Sequence, residues 1–198
     1  PYELMQKLLS YMDLTDATVL DFFSGSATTA EGVFRNNVLN GSNTKFIMIQ
    51  LPENLDDSLV SASSFSRPII QNAINYLEKQ NKPHNICEIG KERIRLCAAK
   101  IREEFGEKTN NIDFGFRNFY VSKSNFKDVY YLPDQISPEL FKNCISNILE
   151  DRTELDLLFQ TMLDIGIPLS SKIEIKNINT KKVFFVQENY LIACFDTD

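Results

Sequence analysis

The segment Val19-Leu20-Asp21-Phe22-Phe23-Ser24-Gly25-Ser26-Ala27-Thr28-Thr29-Ala30 constrains the fold more than any other part of this chain. A short apolar run ends in an acid, passes through small residues and opens into a helix-like segment. That order predicts a tight loop at the carboxyl end of a strand, where open α/β sheets bind ligands. Small residues let the main chain approach a ligand closely, and the N–H groups that start the next helix face an anionic group.

The details narrow the ligand. A phosphate loop of the Walker type needs a Gly-Lys-Ser/Thr ending, and no Lys lies between Asp21 and Arg35. The dinucleotide fingerprint needs three glycines, whereas Gly25 stands alone between Ser24 and Ser26. What remains suits a zwitterion, with Asp21 meeting an ammonium and Ser26, Thr28 and Thr29 meeting a carboxylate. The plainer alternative is an ordinary strand-to-helix turn with Thr28 or Ser26 as the N-cap.

The rest of the chain reads in order. Tyr2 to Met12 has helical apolar spacing, Thr18 to Phe22 reads as a buried parallel strand, Ala27 to Val38 as a helix, and Phe46 to Leu51 as a second central strand. Pro52 to Ser66 is serine-rich and reads as a loop, Pro68 to Gln80 as a short helix, and Lys91 to Glu104 as a longer one. Ile112 to Val121 alternates Phe with polar residues and reads as a strand. Pro138 to Leu149 and Thr153 to Asp164 read as helices, the second ended by Gly166. Lys172 to Ile178, Lys182 to Gln187 and Leu191 to Phe195 predict a meander of short strands. The change of pattern places a boundary near Ser124, giving a first domain over 1–123 and a small α+β module over 124–198.

Several segments together resemble a known family. Asp-Phe-Phe-Ser-Gly-Ser-Ala-Thr-Thr-Ala from Asp21 is similar to the S-adenosylmethionine-binding motif of DNA amino-methyltransferases. Lys45 to Glu53, Ile86 to Arg95, Asp113 to Arg117, Ser124 to Lys127 and Leu191 to Asp196 continue the likeness in order. The group they resemble most is the adenine-specific modification subunits of type III restriction–modification systems. The resemblance implies a partial Rossmann-like α/β methyltransferase sheet followed by the small α+β module. It implies S-adenosylmethionine as cofactor, with Asp21, Phe23, Ser24, Gly25, Ser26, Thr28, Thr29, Gln50 and Glu53 as its contacts. Gln50 or Glu53 would accept from the ribose hydroxyls, a carboxylate making the stronger bonds. The family usually has Gly where this chain has Ala27, so a positive φ there would cost roughly 1–2 kcal/mol.

The resemblance also implies what is missing. The family's catalytic loop carries adjacent prolines, and no two of the seven prolines here are adjacent. The opening Pro1-Tyr2-Glu3-Leu4 resembles the family's Lys-Pro-x-x-Leu segment entered one residue late. The expectation is therefore a carboxyl-terminal portion of a larger adenine-N6 methyltransferase, inactive by itself, cytoplasmic, and not membrane-bound. Its partners would be DNA, a second modification subunit and the restriction subunit. A sheet cut from its other strands would show a bare edge and uncovered apolar area. The alternative is an interaction module, from Ser124 onward, that docks another modification subunit or the restriction subunit without binding cofactor.

Composition bounds these readings. The 198 residues are 43% hydrophobic and 24% charged, which suits a globular protein. A net charge of -6 argues against this chain as the main phosphate-binding surface of a DNA complex. Cys87, Cys97, Cys144 and Cys194 are widely spaced and read as buried free thiols. His84 is the only histidine and reads as surface decoration. The cations of Lys91 to Arg102 alternate with Glu88, Glu92, Glu103 and Glu104, which predicts a salt-bridged face. The aromatic cluster of Phe114, Phe116, Phe119, Tyr120, Phe126, Tyr130 and Tyr131 reads as core. Phe22 and Phe23 read as core too, with Phe23 the one that would touch ligand.

Overall fold

The computed structural model describes residues 2–12, 15–127 and 147–196. The chain divides into two compact units, the first ending at Gly115 and the second beginning at Phe116. The fold is mixed α/β, with a two-stranded parallel sheet and a separate three-stranded antiparallel sheet among the described residues.

The first unit is built around one helix. Strand β1 (Thr18–Asp21) leads through the small-residue loop into α2 (Thr28–Asn40), which returns to β2 (Lys45–Met48). The strands are parallel, with Thr18 opposite Lys45 and Asp21 opposite Met48. Every residue of α2 from Thr29 to Val38 is buried, because cover comes from several directions. Helix α1 (Tyr2–Tyr11) crosses it at Gly32, where a Cβ would sit 2.9 Å from Met5 Cβ. Helix α5 (Ile86–Phe105) lies on another side, and Phe34 packs against Phe46 at 5.5 Å and Phe114 at 5.0 Å between ring centroids.

Polar groups inside this packing are matched. Asn37 Oδ1 accepts from Ser42 Oγ at 2.8 Å and from the Thr44 N–H at 3.0 Å, and its Nδ2 donates to Thr44 O at 2.8 Å. That side chain fixes where β2 begins relative to the end of α2.

The sheet departs from the expected buried strands. Val19 and Phe46 are half-buried, whereas the registered pair Leu20 and Ile47 are 47% and 50% exposed. Apolar residues occupy both faces of the strands, but among the described residues only one face has cover. Neither outer edge is paired among those residues. Phe22 and Phe23 are exposed, not core, since they lie beyond the last registered pair.

Two further corrections concern the segments after β2. Within the expected loop from Pro52 to Ser66, Leu55–Ser61 forms α3. Asn54 caps it, its side chain accepting from the N–H groups of Asp56 at 2.8 Å and Asp57 at 3.4 Å. This capping is the signal that serine-rich composition hides. The expected strand at Ile112 to Val121 does not form. Phe114 is buried against Phe34 and Arg102, whereas Phe119, expected as core, is 47% exposed and only sets its ring edge-on to Phe159. Tyr120 and Phe126 are exposed.

Helix α4 (Arg67–Lys79) contributes Ile74 and Leu77 to a cluster with Leu55. Its junction with α5 is electrostatic. Glu92 accepts from Lys82 and Arg95, and from Tyr76 Oη at 3.4 Å. The Lys82 hydrogen bond leads in holding the Glu92 carboxyl below the usual carboxylate range, with burial opposing and Arg95 assisting. A depressed folded value means the stabilisation is complete above the unfolded value near 4.5 and is lost as pH falls through the folded one. Glu92→Gln is therefore expected to destabilise by about 1 kcal/mol or less at neutral pH, because solvent screens its partners. The gap from wild type should close in urea titrations as pH falls into the acid range. A gap independent of pH would show that charge is not what Glu92 contributes.

In the second unit, α6 (Glu154–Asp164) starts at a capping box between Thr153 and Asp156. Gly166 follows at φ +75 and closes the helix. Strands β3 (Ile173–Ile178), β4 (Lys181–Val186) and β5 (Leu191–Cys194) form an antiparallel meander. Its inner face places Phe184 and Val186 against Leu158, Met162 and Ile167. Asn179 and Thr180, both at positive φ, make the tight turn between β3 and β4. The expected helix from Pro138 to Leu149 lies largely outside the described residues, as do Cys144, Tyr130 and Tyr131. No helix among the described residues is long and apolar enough to cross a membrane.

Candidate functional site

The loop between β1 and α2 is held from three sides by its own neighbours. The Asp21 carboxylate accepts from the Phe23 N–H at 3.2 Å and from Thr29 Oγ1 at 2.6 Å, spanning the loop from strand to helix. The Ser24 N–H donates to Ile49 O at 3.3 Å, and the Gly25 N–H donates to Gln50 Oε1 at 2.8 Å. These two bonds tie the loop to the chain leaving β2. Ala27 closes a turn through its N–H to Ser24 O at 2.7 Å.

Two residues carry unusual backbone angles. Gly25 has φ +51, and a Cβ built on it would meet nothing within 4 Å. Ala27 has φ +61 and ψ +39, and sits at the N-cap of α2 with no side-chain capping bond. The N-cap is thus neither Ser26 nor Thr28. Their hydroxyls face Arg93 of α5, whose Nη1 donates to Ser26 Oγ at 2.6 Å and to Thr28 Oγ1 at 3.0 Å. Arg93 was not singled out by sequence reasoning, which saw only one cation among several on a helix surface.

Around this one loop Asp21 is bonded to Thr29, Gly25 to Gln50, Ser24 to Ile49, and Ser26 and Thr28 to Arg93. Phe23 is 87% exposed beside it, and Glu53 is an exposed carboxylate farther along the chain from Gln50. The Glu53 backbone is fixed, since its carbonyl accepts from the Ile86 N–H at 3.1 Å at the start of α5. Gln50 Oε1, expected to face a ligand hydroxyl, is engaged by Gly25. Glu53 is therefore the more available acceptor of the two.

Helix α5 lies against the loop with little clearance. A Cβ on Gly90 would lie 3.4 Å from Gly25 O and 3.5 Å from Ala27 Cβ. Asn85 caps α5 by accepting from the Glu88 N–H at 3.0 Å. Cys87 donates to Gln50 O at 3.5 Å, and burial pushes its thiol above the ordinary range, opposed by Lys91 and helped by Glu88 and Glu53. Cys97 is pushed up to about 11, chiefly by burial, which suits an unreactive thiol. Cys194 is exposed, against the expectation of a buried thiol, because it lies opposite Val183 on the outer face of the meander. The expected ion pairing of α5 is present: Lys91 meets Glu88, Arg95 meets Glu92, and Arg35 of α2 meets Glu104 at 3.0 Å. His84 Nδ1 lies 3.0 Å from Asp56 Oδ2 at the start of α3.

No known family's sequence profile matches the chain. Over 119 residues it is 31% identical to the type III restriction-modification enzyme StyLTI Mod subunit of Salmonella typhimurium. That stretch is 60% of this chain and 15% of the Salmonella protein, so the chain spans a small part of its relative. The similarity supports a relationship to the modification subunits of type III systems and, at that level, to methyltransferases.

Proposed function

We propose that this chain forms the S-adenosylmethionine-binding part of an adenine-N6 DNA methyltransferase, the modification subunit of a type III restriction–modification system. The β1–α2–β2 unit is, on this reading, part of a Rossmann-like methyltransferase sheet. The observation that carries it is the shape of the β1–α2 loop. Two left-handed residues, Gly25 and Ala27, turn the backbone immediately before a helix N-terminus, and the space in front of Gly25 is open.

The donor set fits the cofactor. Asp21 has spent one bond on each oxygen, and a carboxylate has further lone pairs for an ammonium. The start of α2 lacks a side-chain cap and suits a carboxylate. Glu53 supplies acceptors for ribose hydroxyls, Gln50 shapes the loop through Gly25, and Phe23 offers an exposed ring for apolar contact. Ser24, Ser26, Thr28 and Thr29 line the same turn. When bound, the cofactor supplies the electrophilic methyl group. This chain's residues orient it, a proximity contribution. The group that receives the target adenine belongs to a Pro-Pro loop that this sequence does not contain. In the whole enzyme the partners would be DNA, with the base moved out of its stack, a second modification subunit and the restriction subunit.

Calorimetric titration of the chain with S-adenosylmethionine tests the reading. The expected result is saturable binding that Asp21→Asn weakens by roughly 1.5–3 kcal/mol. Absence of binding by the wild-type chain would overturn the cofactor assignment.

A further inference from the structure

The Arg93 guanidinium grips both neighbours of the strained residue in the loop. Ser26 and Thr28, its two hydroxyl partners, flank Ala27, and Ala27 holds a left-handed conformation that disfavours any residue with a Cβ. The guanidinium is itself anchored, its Nε lying 3.8 Å from Glu31 Oε2. Glu31 is buried in the first turn of α2, and its other oxygen faces Arg35 at 3.4 Å. Gly90 leaves room for this approach, since even a Cβ built on it would lie 3.4 Å from Gly25 O and 3.5 Å from Ala27 Cβ.

We infer that Arg93 is a positioning residue: by bridging Ser26 and Thr28 it holds Ala27 in the left-handed kink and keeps the loop in its binding shape before ligand arrives. The inference deepens the cofactor reading and, for its ligand arm, rests on it. A glycine at position 27 would need no such clamp, whereas alanine at φ +61 does. Arg suits the task because its planar fork donates from fixed directions.

A coupled pair of substitutions tests this. Wild type, Arg93→Gln, Ala27→Gly and the double variant are compared by hydrogen–deuterium exchange without ligand and by calorimetry with S-adenosylmethionine. Arg93→Gln is expected to speed exchange over residues 23–28 and to weaken binding roughly tenfold. The α5 amides near Ile94, Cys97 and Ile101 should stay protected. Ala27→Gly is expected to recover most of that loss in the double variant, since glycine takes the left-handed angle without a Cβ penalty. Equal loop exchange in wild type and Arg93→Gln would overturn the inference, as would effects on affinity that simply add. Should Arg93→Gln also expose α5, the Ser26→Ala/Thr28→Val pair removes the same bonds from the loop side. Unchanged loop exchange in that pair would likewise overturn it. A loop that loosens as expected in a chain that binds no S-adenosylmethionine would defeat the cofactor reading and leave the role of Arg93 standing.

Discussion

Phe34→Ala is expected to destabilise the first unit by about 3–5 kcal/mol, the range for deleting a buried aromatic ring. Phe34 is 2% exposed, and the removed ring is shared among elements distant in sequence. Phe46 of β2 and Phe114 both pack on it, and Arg102 of α5 lies over the Phe114 ring at 4.8 Å. The cavity would therefore sit where helix, sheet and the end of the unit meet. Domains of this size have only about 5–15 kcal/mol in hand, so the variant should unfold at much lower urea concentration. A loss under about 1 kcal/mol in equilibrium urea titrations would mean that α2 is not the centre of the packing.

Gly25→Val is expected to abolish detectable cofactor binding, a loss of roughly a hundredfold or more. Space does not forbid the substitution, because a Cβ at this position meets nothing within 4 Å. The penalty lies in the backbone, since φ +51 is a poor conformation for a β-branched residue. Relaxing it would pull the Gly25 N–H off Gln50 Oε1 and change the path into Ala27. The new side chain would also fill the opening a ligand needs. Gly41→Val is the control, since Gly41 has φ +63 and equally open surroundings at the far end of α2. Both variants should lose similar amounts of melting temperature, whereas only Gly25→Val should lose binding. Retained affinity in Gly25→Val would make the loop a structural turn.

The β1–loop–α2–β2 order was legible because each element has its own local signal. A continuous apolar run, a small-residue turn and a helical stretch succeed one another without overlap. Exposure of Leu20 and Ile47 was not legible, since both faces of each strand are written in the same apolar residues. Helix α3 was hidden because its information sits in one capping side chain, Asn54, and not in periodicity. The Phe alternation at Ile112 to Val121 misled because Phe114 turns into the packing around Phe34, while Phe119 stays exposed beside Phe159. At the candidate site, Thr29 was expected to meet a ligand carboxylate and instead donates to Asp21, a bond that follows from spacing along the chain. The bonds from Arg93 and Gln50 do not, because they depend on where α5 and the end of β2 lie in space. Ala27 was the one legible hint of strain, and its φ of +61 gives that hint a geometric form.

The enclosure of α2 has a consequence for how such a chain is made. Its covers come from α1, synthesised just before it, and from α5 and Phe114, synthesised long after it. At about 5–20 residues per second, Val33 and Phe34 leave the ribosome several seconds before α5 exists. During that interval the nascent helix shows water the surface that the finished unit conceals. Translation speed between α2 and α5, more than the stability of the finished unit, then governs how long nascent chains are open to chaperone capture or to premature association on the same polysome.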